Sequence, residues 1–215
     1  MLDTPPSAAP TISFRATCAR ALLYLLVIGA MMQGVLWETG LPEQIRFSET
    51  GFTESMQTLW LTISCLLLVY ARQVLGGLPR VTLLMFGLLA AALIREQDAF
   101  LDAYVFDGAW QTLVTLLLLP ILYIVLRERH AFVREFEGYV ESFSFGLFAA
   151  GFLGTFAFSR LYGRSEMWES LLAERYIRVF KDAAEEVTEL FGYTLLLFAM
   201  IELVLWIRRR QAKQA

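Results

Sequence analysis

Acidic side chains gather in three separate stretches of this 215-residue chain. Carboxylate oxygens are the ligands that hard cations such as calcium, magnesium and manganese prefer. If the three stretches meet in the folded chain, their carboxylates form an all-oxygen site for one divalent cation. The predicted metal ligands are Glu54 in the first stretch, Glu96, Asp98 and Asp102 in the second, and Glu185, Glu186 and Glu189 in the third.

The spacing within these stretches places like charges side by side. Asp98 and Asp102 are four residues apart, as are Glu185 and Glu189, so each pair shares one face of a helix. Like charges at this spacing weaken a helix by a few tenths of a kcal/mol, roughly, for each pair. Something must offset the repulsion: the basic side chains Arg95, Arg178 and Lys181, a bound cation, or shared protons. Helix capping and ion pairing are therefore the structural alternative to a metal site.

Other chemistries lack their usual residues. The single histidine, His130, lies in an Arg-Glu-Arg-His run far from the acidic stretches, which disfavours zinc and a ferritin-like di-iron site. Phosphate-binding loops, nucleophile elbows and paired-cysteine motifs are all absent from the sequence. Cys18 and Cys65 fall in or beside apolar runs, so no disulfide framework is expected. No feature of the sequence indicates a nucleic acid partner.

The elements that carry the acids are long apolar runs. Hydrophobic residues make up 57% of the chain, and the charged 18% is concentrated between the runs. Because about twenty apolar residues cross a bilayer, the sequence predicts an all-α polytopic membrane protein with six transmembrane helices. The predicted spans are Ala21 to Trp37, Glu54 to Ala71, Leu78 to Ile94, Ala109 to Leu126, Tyr139 to Phe158, and Val187 to Ile207.

Two further structural expectations follow from the same runs. The third span is short, so its helix is expected to continue through Arg95, Glu96 and Asp98. Apolar residues recur at helical spacing from Met167 to Ala183, which predicts one amphipathic helix in the membrane interface. The chain then divides into a disordered segment at residues 1–14, a transmembrane domain at residues 15–210 and a cytoplasmic tail at residues 211–215.

The basic residues predict the orientation. With both termini in the cytoplasm, eleven of the eighteen Lys and Arg residues fall on the cytoplasmic side, and the short loops then obey the positive-inside rule. The acidic stretches lie on the outer side. The eleven cytoplasmic residues are Arg15, Arg20, Arg72, Arg80, Arg127, Arg129, Arg134, Arg208, Arg209, Arg210 and Lys213.

Two features within the spans are also candidates. Gly146, Ala150 and Gly154 are four residues apart in the fifth span and form a small-residue stripe on one helix face. Such a stripe allows another helix to approach closely, either within the bundle or in a protein partner or homo-oligomer. Glu202 lies inside the sixth span, where an ionisable residue indicates a functional role by default. Glu141, just inside the fifth span, is its counterpart on the cytoplasmic side.

The starts of two helices carry a resemblance. With Glu-Thr-Gly-Phe-Thr-Glu at residues 49–54 and Glu-Glu-Val-Thr-Glu-Leu-Phe-Gly at residues 185–192, the chain resembles bacterial inner-membrane proteins. This resemblance implies location in the bacterial inner membrane. The acid-rich helix ends are also similar to those of alkaline ceramidase-like membrane hydrolases. Those enzymes hold zinc through several histidines, which this chain lacks.

The leading hypothesis is a non-enzymatic protein of the lipid bilayer whose outer acidic cluster organises the helix bundle and binds a divalent cation. Three alternatives stay open: an accessory membrane subunit that docks a protein partner, a small cation transporter or channel, and a metal-dependent membrane hydrolase acting on lipid. A polar path through the bundle would favour transport. An open outer cleft that holds Glu54, Asp98 and Glu185 would favour the hydrolase.

Overall fold

A computed structural model describes residues 13–42, 46–47 and 51–214, and this part of the chain is helical with no strand. In lipid the backbone N–H and C=O groups must bond to each other, and a helix achieves this within one segment. A π-helical turn, Gly154–Phe158, joins α7 to α8, and a 3-10 turn, Ala173–Arg175, follows α9. The helices are α1 Phe14–Thr39, α2 Phe52–Gln73, α3 Pro79–Arg95, α4 Asp98–Tyr104, α5 Ala109–Arg127, α6 Arg129–Val140, α7 Phe143–Leu153, α8 Ser159–Tyr162, α9 Ser165–Leu172 and α10 Arg178–Gln214.

Six helical segments run between two ends of the bundle: α1, α2, α3, α5, the continuous α7–α8 segment and α10. We call one end the acidic end, where α1 and α3 finish and α2 and α10 begin. Side-chain contacts join these termini, from Glu38 to Thr53 and from Arg95 to Glu189. We call the other the basic end, where Arg20 near the start of α1 pairs with Glu202 of α10.

The longest helix, α10, is the centre of the bundle and packs against α2 and α7. In its most apolar 18-residue stretch 72% of the residues are buried, compared with 6% in the corresponding stretch of α1. Leu196, Met200 and Leu203 are fully enclosed and join the core side chains of α2 and α3. Burial of apolar side chains against neighbouring helices therefore fixes α10, while α1 lies at the periphery.

Helices α7 and α10 approach each other closely at Gly151 and Gly192. A Cβ atom at Gly151 would lie 2.8 Å from the backbone oxygen of Gly192, and one at Gly192 would overlap Thr155 Oγ1. Gly146 and Gly154, in contrast, have nothing within 4 Å of a built Cβ atom. Packing within the bundle therefore uses Gly151 and Gly192, and the predicted small-residue stripe does not face α10.

Five segments are long and apolar enough to cross a membrane: α1, α2, α5, Phe143–Tyr162 and Arg178–Ala212. These confirm the expected helical membrane architecture in its coarse form. The fifth span begins at Phe143 rather than Tyr139, because Tyr139 belongs to the separate helix α6. Helix α3, the predicted third span, has 17 residues and falls below this length.

Two details of the helix boundaries correct the sequence expectations. The third helix does not continue past Arg95: the chain turns at Glu96 and Gln97, and α4 begins separately at Asp98. A single helix from Met167 to Ala183 does not form either. Ala173 has a φ of 47°, which a right-handed helix cannot contain, so α9 ends at Leu172 and the later residues start α10.

The chain termini differ partly from the expected domain limits. Residues 1–12 of the predicted disordered segment lie outside the described residues. Ser13 accepts a hydrogen bond from the backbone of Ala16 and caps α1, which begins at Phe14. At the other end, α10 continues to Gln214, through most of the predicted tail.

The basic end is held by two buried or half-buried acids. Glu202, 2% exposed, accepts hydrogen bonds from Arg20 at 3.0 Å and from Tyr24 at 2.8 Å, so it ties the peripheral helix α1 to α10. Glu135 of α6 accepts the backbone N–H of Arg80 at 2.8 Å and pairs with its guanidinium at 3.0 Å. A carboxylate at a helix N-terminus satisfies free backbone donors, so Glu135 fixes the start of α3.

Candidate functional site

Glu189 is the centre of the acidic end. Its carboxylate is 2% exposed and pairs with Arg95 of α3 at 3.0 Å and with Arg160 of α8 at 2.8 Å. Ser159 donates a further hydrogen bond at 3.2 Å. A buried charge is tolerated when it is paired and hydrogen-bonded, and here the partners come from two different helices. Glu189 therefore links α3, α8 and α10 at one point.

A second carboxylate extends this network. Glu96 lies just after α3, accepts a hydrogen bond from the hydroxyl of Tyr193 at 2.8 Å and pairs with Arg95 at 3.0 Å. Tyr193 is fully buried one helical turn beyond Glu189 on α10. Arg95 thus bridges two carboxylates, and the turn that ends α3 is held against α10.

Two further acids at the start of α10, Glu185 and Glu186, also have partners, and Glu185 shares Arg160 with Glu189. Glu186 accepts a hydrogen bond from Gln57 Nε2 of α2 at 3.0 Å. Glu185 pairs with Arg160 and, at 3.0 Å, with Lys181 one turn earlier. Basic side chains therefore offset the like charges on this helix face. Two of them, Arg95 and Lys181, are among the candidates that the sequence identifies.

An open cavity of about 350 Å³ lies among these helix ends. Its lining includes five carboxylates and two guanidiniums, so the lining carries an excess of negative charge. Trp110 at the start of α5 forms part of the wall. The cavity is lined by Glu54, Arg95, Glu96, Asp98, Trp110, Arg160, Glu186 and Glu189.

Five of the seven predicted ligands therefore meet around one cavity, and two do not. Asp102 accepts a hydrogen bond from the backbone N–H of Gly108 at 3.1 Å and fixes the turn between α4 and α5. Glu185 is not part of the cavity lining, and its carboxylate pairs with Arg160 and Lys181. Within the described part of the chain, no group of three or more His, Cys, Asp or Glu side chains is arranged to hold a metal ion. His130 lies on α6, away from this cavity.

Several residues of the acidic end are not among the sequence candidates. Glu38, fully buried at the end of α1, accepts hydrogen bonds from the backbone N–H and the hydroxyl of Thr53 and so caps α2. Arg160 and Ser159 follow the π-helical turn, which adds a residue to the helical turn before them. The only sequence signal for these residues is their position near the ends of apolar runs.

Gln57 is a further residue that sequence reasoning did not select. Its side chain is fully buried on α2, and Nε2 donates to both the carboxylate and the backbone oxygen of Glu186 at 3.0 Å. Its Oε1 atom has no hydrogen-bond donor among the described residues. Such an orphaned acceptor is uncommon in folded proteins.

Comparison of the chain with protein-family models, with curated proteins and with solved structures gives no match.

Proposed function

We propose that this chain is a six-span protein of the bacterial inner membrane whose outward-facing acidic cavity binds a divalent cation. The single observation that carries the proposal is the cavity itself, in which five carboxylates face two guanidiniums. A net negative cavity with low-dielectric walls attracts and concentrates cations. The ion pairs of Glu189 and Glu96 organise the helix ends around the cavity and keep its shape.

The coordination expected here is an indirect one. Because no three described carboxylates are arranged as direct ligands, the cation is held partly through its own water shell. Magnesium keeps several waters in many protein sites, and calcium sites of extracellular modules bind with dissociation constants of about 10⁻⁴–10⁻³ M. The orphaned Oε1 of Gln57, beside Glu186, is an additional acceptor that an ion or its water could use.

The six-span arrangement is supported by the contacts of α3. Its start is held by Glu135 at the basic end, and Arg95 at its other terminus pairs with Glu189 at the acidic end. A helix of 17 residues spans about 25 Å, a few ångströms less than a typical hydrocarbon core. Local thinning of the bilayer and charged groups at the helix ends accommodate such a mismatch.

The orientation predicts a set of reporter results. Reporter domains fused after Gly51, Asp107 and Arg164 should lie outside the cytoplasm, whereas fusions after Gly77, His130 and the C-terminus should lie inside. The reason is that arginines are retained on the cytoplasmic side of short loops. The measurement is the paired activity of reporters that fold only on one side of the membrane. A single reversed fusion among the short loops would refute the six-span topology.

Cation binding predicts a change in thermal stability. A ligand that binds only the folded chain stabilises it by about 1.4 kcal/mol at tenfold excess over its dissociation constant. This corresponds to a melting temperature higher by roughly 3–6 °C for a chain of this size. In maltoside detergent, calcium, magnesium or manganese should raise the melting temperature, and a chelator should reverse the change.

The cavity variant for this test is Glu54→Gln with Asp98→Asn and Glu186→Gln. It removes three negative charges from the cavity while sparing Glu189, and the stabilisation by cations should be lost. The matched control, Glu166→Gln with Glu169→Gln and Asp107→Asn, removes the same charge outside the cavity lining and should keep it. If divalent ions act only as sodium chloride of equal ionic strength does, charge screening explains the result and the cation site is rejected.

Docking of a protein partner is a second candidate function, favoured by the small-residue stripe. Gly146 and Ala150 are exposed, and Gly146 and Gly154 meet no atom within 4 Å of a built Cβ. A helix of a partner or of a second copy could approach this face closely. Transport is less favoured, because the described core of α10 between Glu189 and Glu202 is largely apolar, with Leu196 and Met200 fully buried.

A further inference from the structure

Helix α6 (Arg129–Val140) is held close to the membrane boundary at the basic end. It follows α5 after the single residue Glu128 and precedes α7 by two residues, and both neighbours belong to candidate membrane spans. Its sequence is too polar and too short to cross a bilayer itself. The short connections leave it no room to move far from the ends of α5 and α7.

One face of α6 is fixed against the bundle. Glu135 binds the start of α3, and Tyr139, which is fully buried, shares a hydrogen bond of 3.1 Å with Ser144 of α7. Phe132 packs against the core at the same helical spacing. The rotation of α6 about its axis is therefore set, and so are the directions of its other faces.

The flank of α6 that lies about 100° around the helix axis from this bundle-facing side carries exposed apolar side chains, of which Phe136 also meets Phe145 of α7 edge-on. Val133, Phe136 and Val140 follow one another at three- and four-residue spacing and are 48%, 37% and 40% exposed. A helix with one side against the bundle and an adjacent apolar flank exposed next to two spans is placed to enter the boundary between headgroups and acyl chains.

Exposed arginines lie on and beside α6. Arg127, Arg129 and Arg134 are exposed, and none of them forms an ion pair within the described chain. The nearby acids Glu128 and Glu135 both form ion pairs with Arg80 instead. The Arg210 guanidinium adds a fourth positive charge, 3.9 Å from a Cβ atom built at Gly138. Glu137 and Glu141 are exposed acids on the same helix or just after it, outside the ion pairs of Arg80.

We propose that α6 lies in the membrane surface, with Val133, Phe136 and Val140 among the acyl chains and Arg127, Arg129 and Arg134 bound to anionic lipid headgroups. The complementarity of charge identifies the lipid: guanidiniums without a protein partner bind phosphate groups, and a net negative surface attracts them further. Zwitterionic lipid offers the apolar contact without the net negative surface.

Amide hydrogen exchange of residues 129–140 tests this proposal in the full-length protein. In maltoside micelles, added phosphatidylglycerol should slow exchange in α6, and added phosphatidylcholine should do so far less. Each arginine near an anionic surface contributes about fivefold to binding, so Arg127→Gln with Arg129→Gln and Arg134→Gln should raise the half-maximal phosphatidylglycerol concentration by about a hundredfold. Salt should weaken the effect of phosphatidylglycerol in the wild-type chain.

The matched control removes three exposed arginines from the acidic end, Arg164→Gln with Arg175→Gln and Arg178→Gln, and should respond as the wild type does. Equal protection by the two lipids in the wild-type chain would overturn the proposal, and this comparison does not depend on the folding of any variant. If both triple variants lost the protection by phosphatidylglycerol to the same extent, the proposal would also be overturned. Protection that appears only when a second copy binds, seen as a concentration-dependent dimer, would assign the face to a protein contact instead.

Discussion

Replacing Glu189 by alanine is expected to lower the free energy of unfolding by about 3 kcal/mol. The substitution leaves Arg95 and Arg160 beside a cavity without their common carboxylate. Removal of one partner from a buried ion pair is strongly destabilising because the remaining charge stays desolvated. The expected loss lies at the lower end of the range, since Arg160 is 45% exposed and can turn towards water and Arg95 keeps Glu96.

The measurement is chemical or thermal unfolding of the purified protein in detergent, followed by tryptophan fluorescence. Glu166→Ala is the control: its carboxylate, 74% exposed, pairs with Arg164 near the same end of the bundle, and surface ion pairs contribute little. We expect that variant to unfold within about 0.5 kcal/mol of the wild type. Equal stability of the two variants would mean that Glu189 does not organise the acidic end.

Replacing Gly151 by leucine is expected to destabilise the bundle by about 3 kcal/mol or more. A Cβ atom at this position lies 2.8 Å from the backbone oxygen of Gly192, so the obstacle is backbone rather than a flexible side chain. Helices α7 and α10 must move apart, and the buried contacts of α10 with α7 weaken. The loss should appear in the same unfolding measurement.

Gly146→Leu is the matched control on the same helix. Nothing lies within 4 Å of its built Cβ atom, so the substitution should leave the stability of the isolated chain unchanged. The same variant tests the partner surface, because a leucine there would block a closely approaching helix. If Gly146→Leu destabilised the isolated chain as strongly as Gly151→Leu, the α7–α10 contact described here would be wrong.

The sequence predicts the helical membrane architecture because bilayer thickness imposes a length on each apolar run. The apolar runs of α2 and α5 therefore mark these helices to within two residues at each end, whereas α1 begins at Phe14, seven residues before the predicted span. The breaks are harder to predict. Neither Glu96–Gln97 nor Ala173 involves glycine or proline, so the turn after α3 and the positive φ that ends α9 have no local sequence signal.

The acidic residues of the candidate site could be predicted from the sequence, but not all of the basic residues that pair with them. Like charges at helical spacing indicate that something must offset them, and Arg95 and Lys181 lie close enough in sequence to be named. Arg160 lies 29 residues before Glu189, and its approach depends on the packing of α7 and α8 against α10. The hydrogen bonds of Glu38 with Thr53 cross the loop between α1 and α2, and tertiary packing determines them too.

Direct titration with manganese tests most directly whether the acidic cavity binds a divalent cation. Free Mn²⁺ gives a strong paramagnetic resonance signal that weakens when the ion is bound to protein. The purified chain in maltoside should bind one Mn²⁺ with a dissociation constant of about 10⁻⁴–10⁻³ M. Glu54→Gln with Asp98→Asn and Glu186→Gln should weaken binding by about tenfold or more, since affinity follows the number of charged ligands. A wild-type chain that leaves the signal unchanged, or binding that the cavity variant retains in full, would contradict the proposed function.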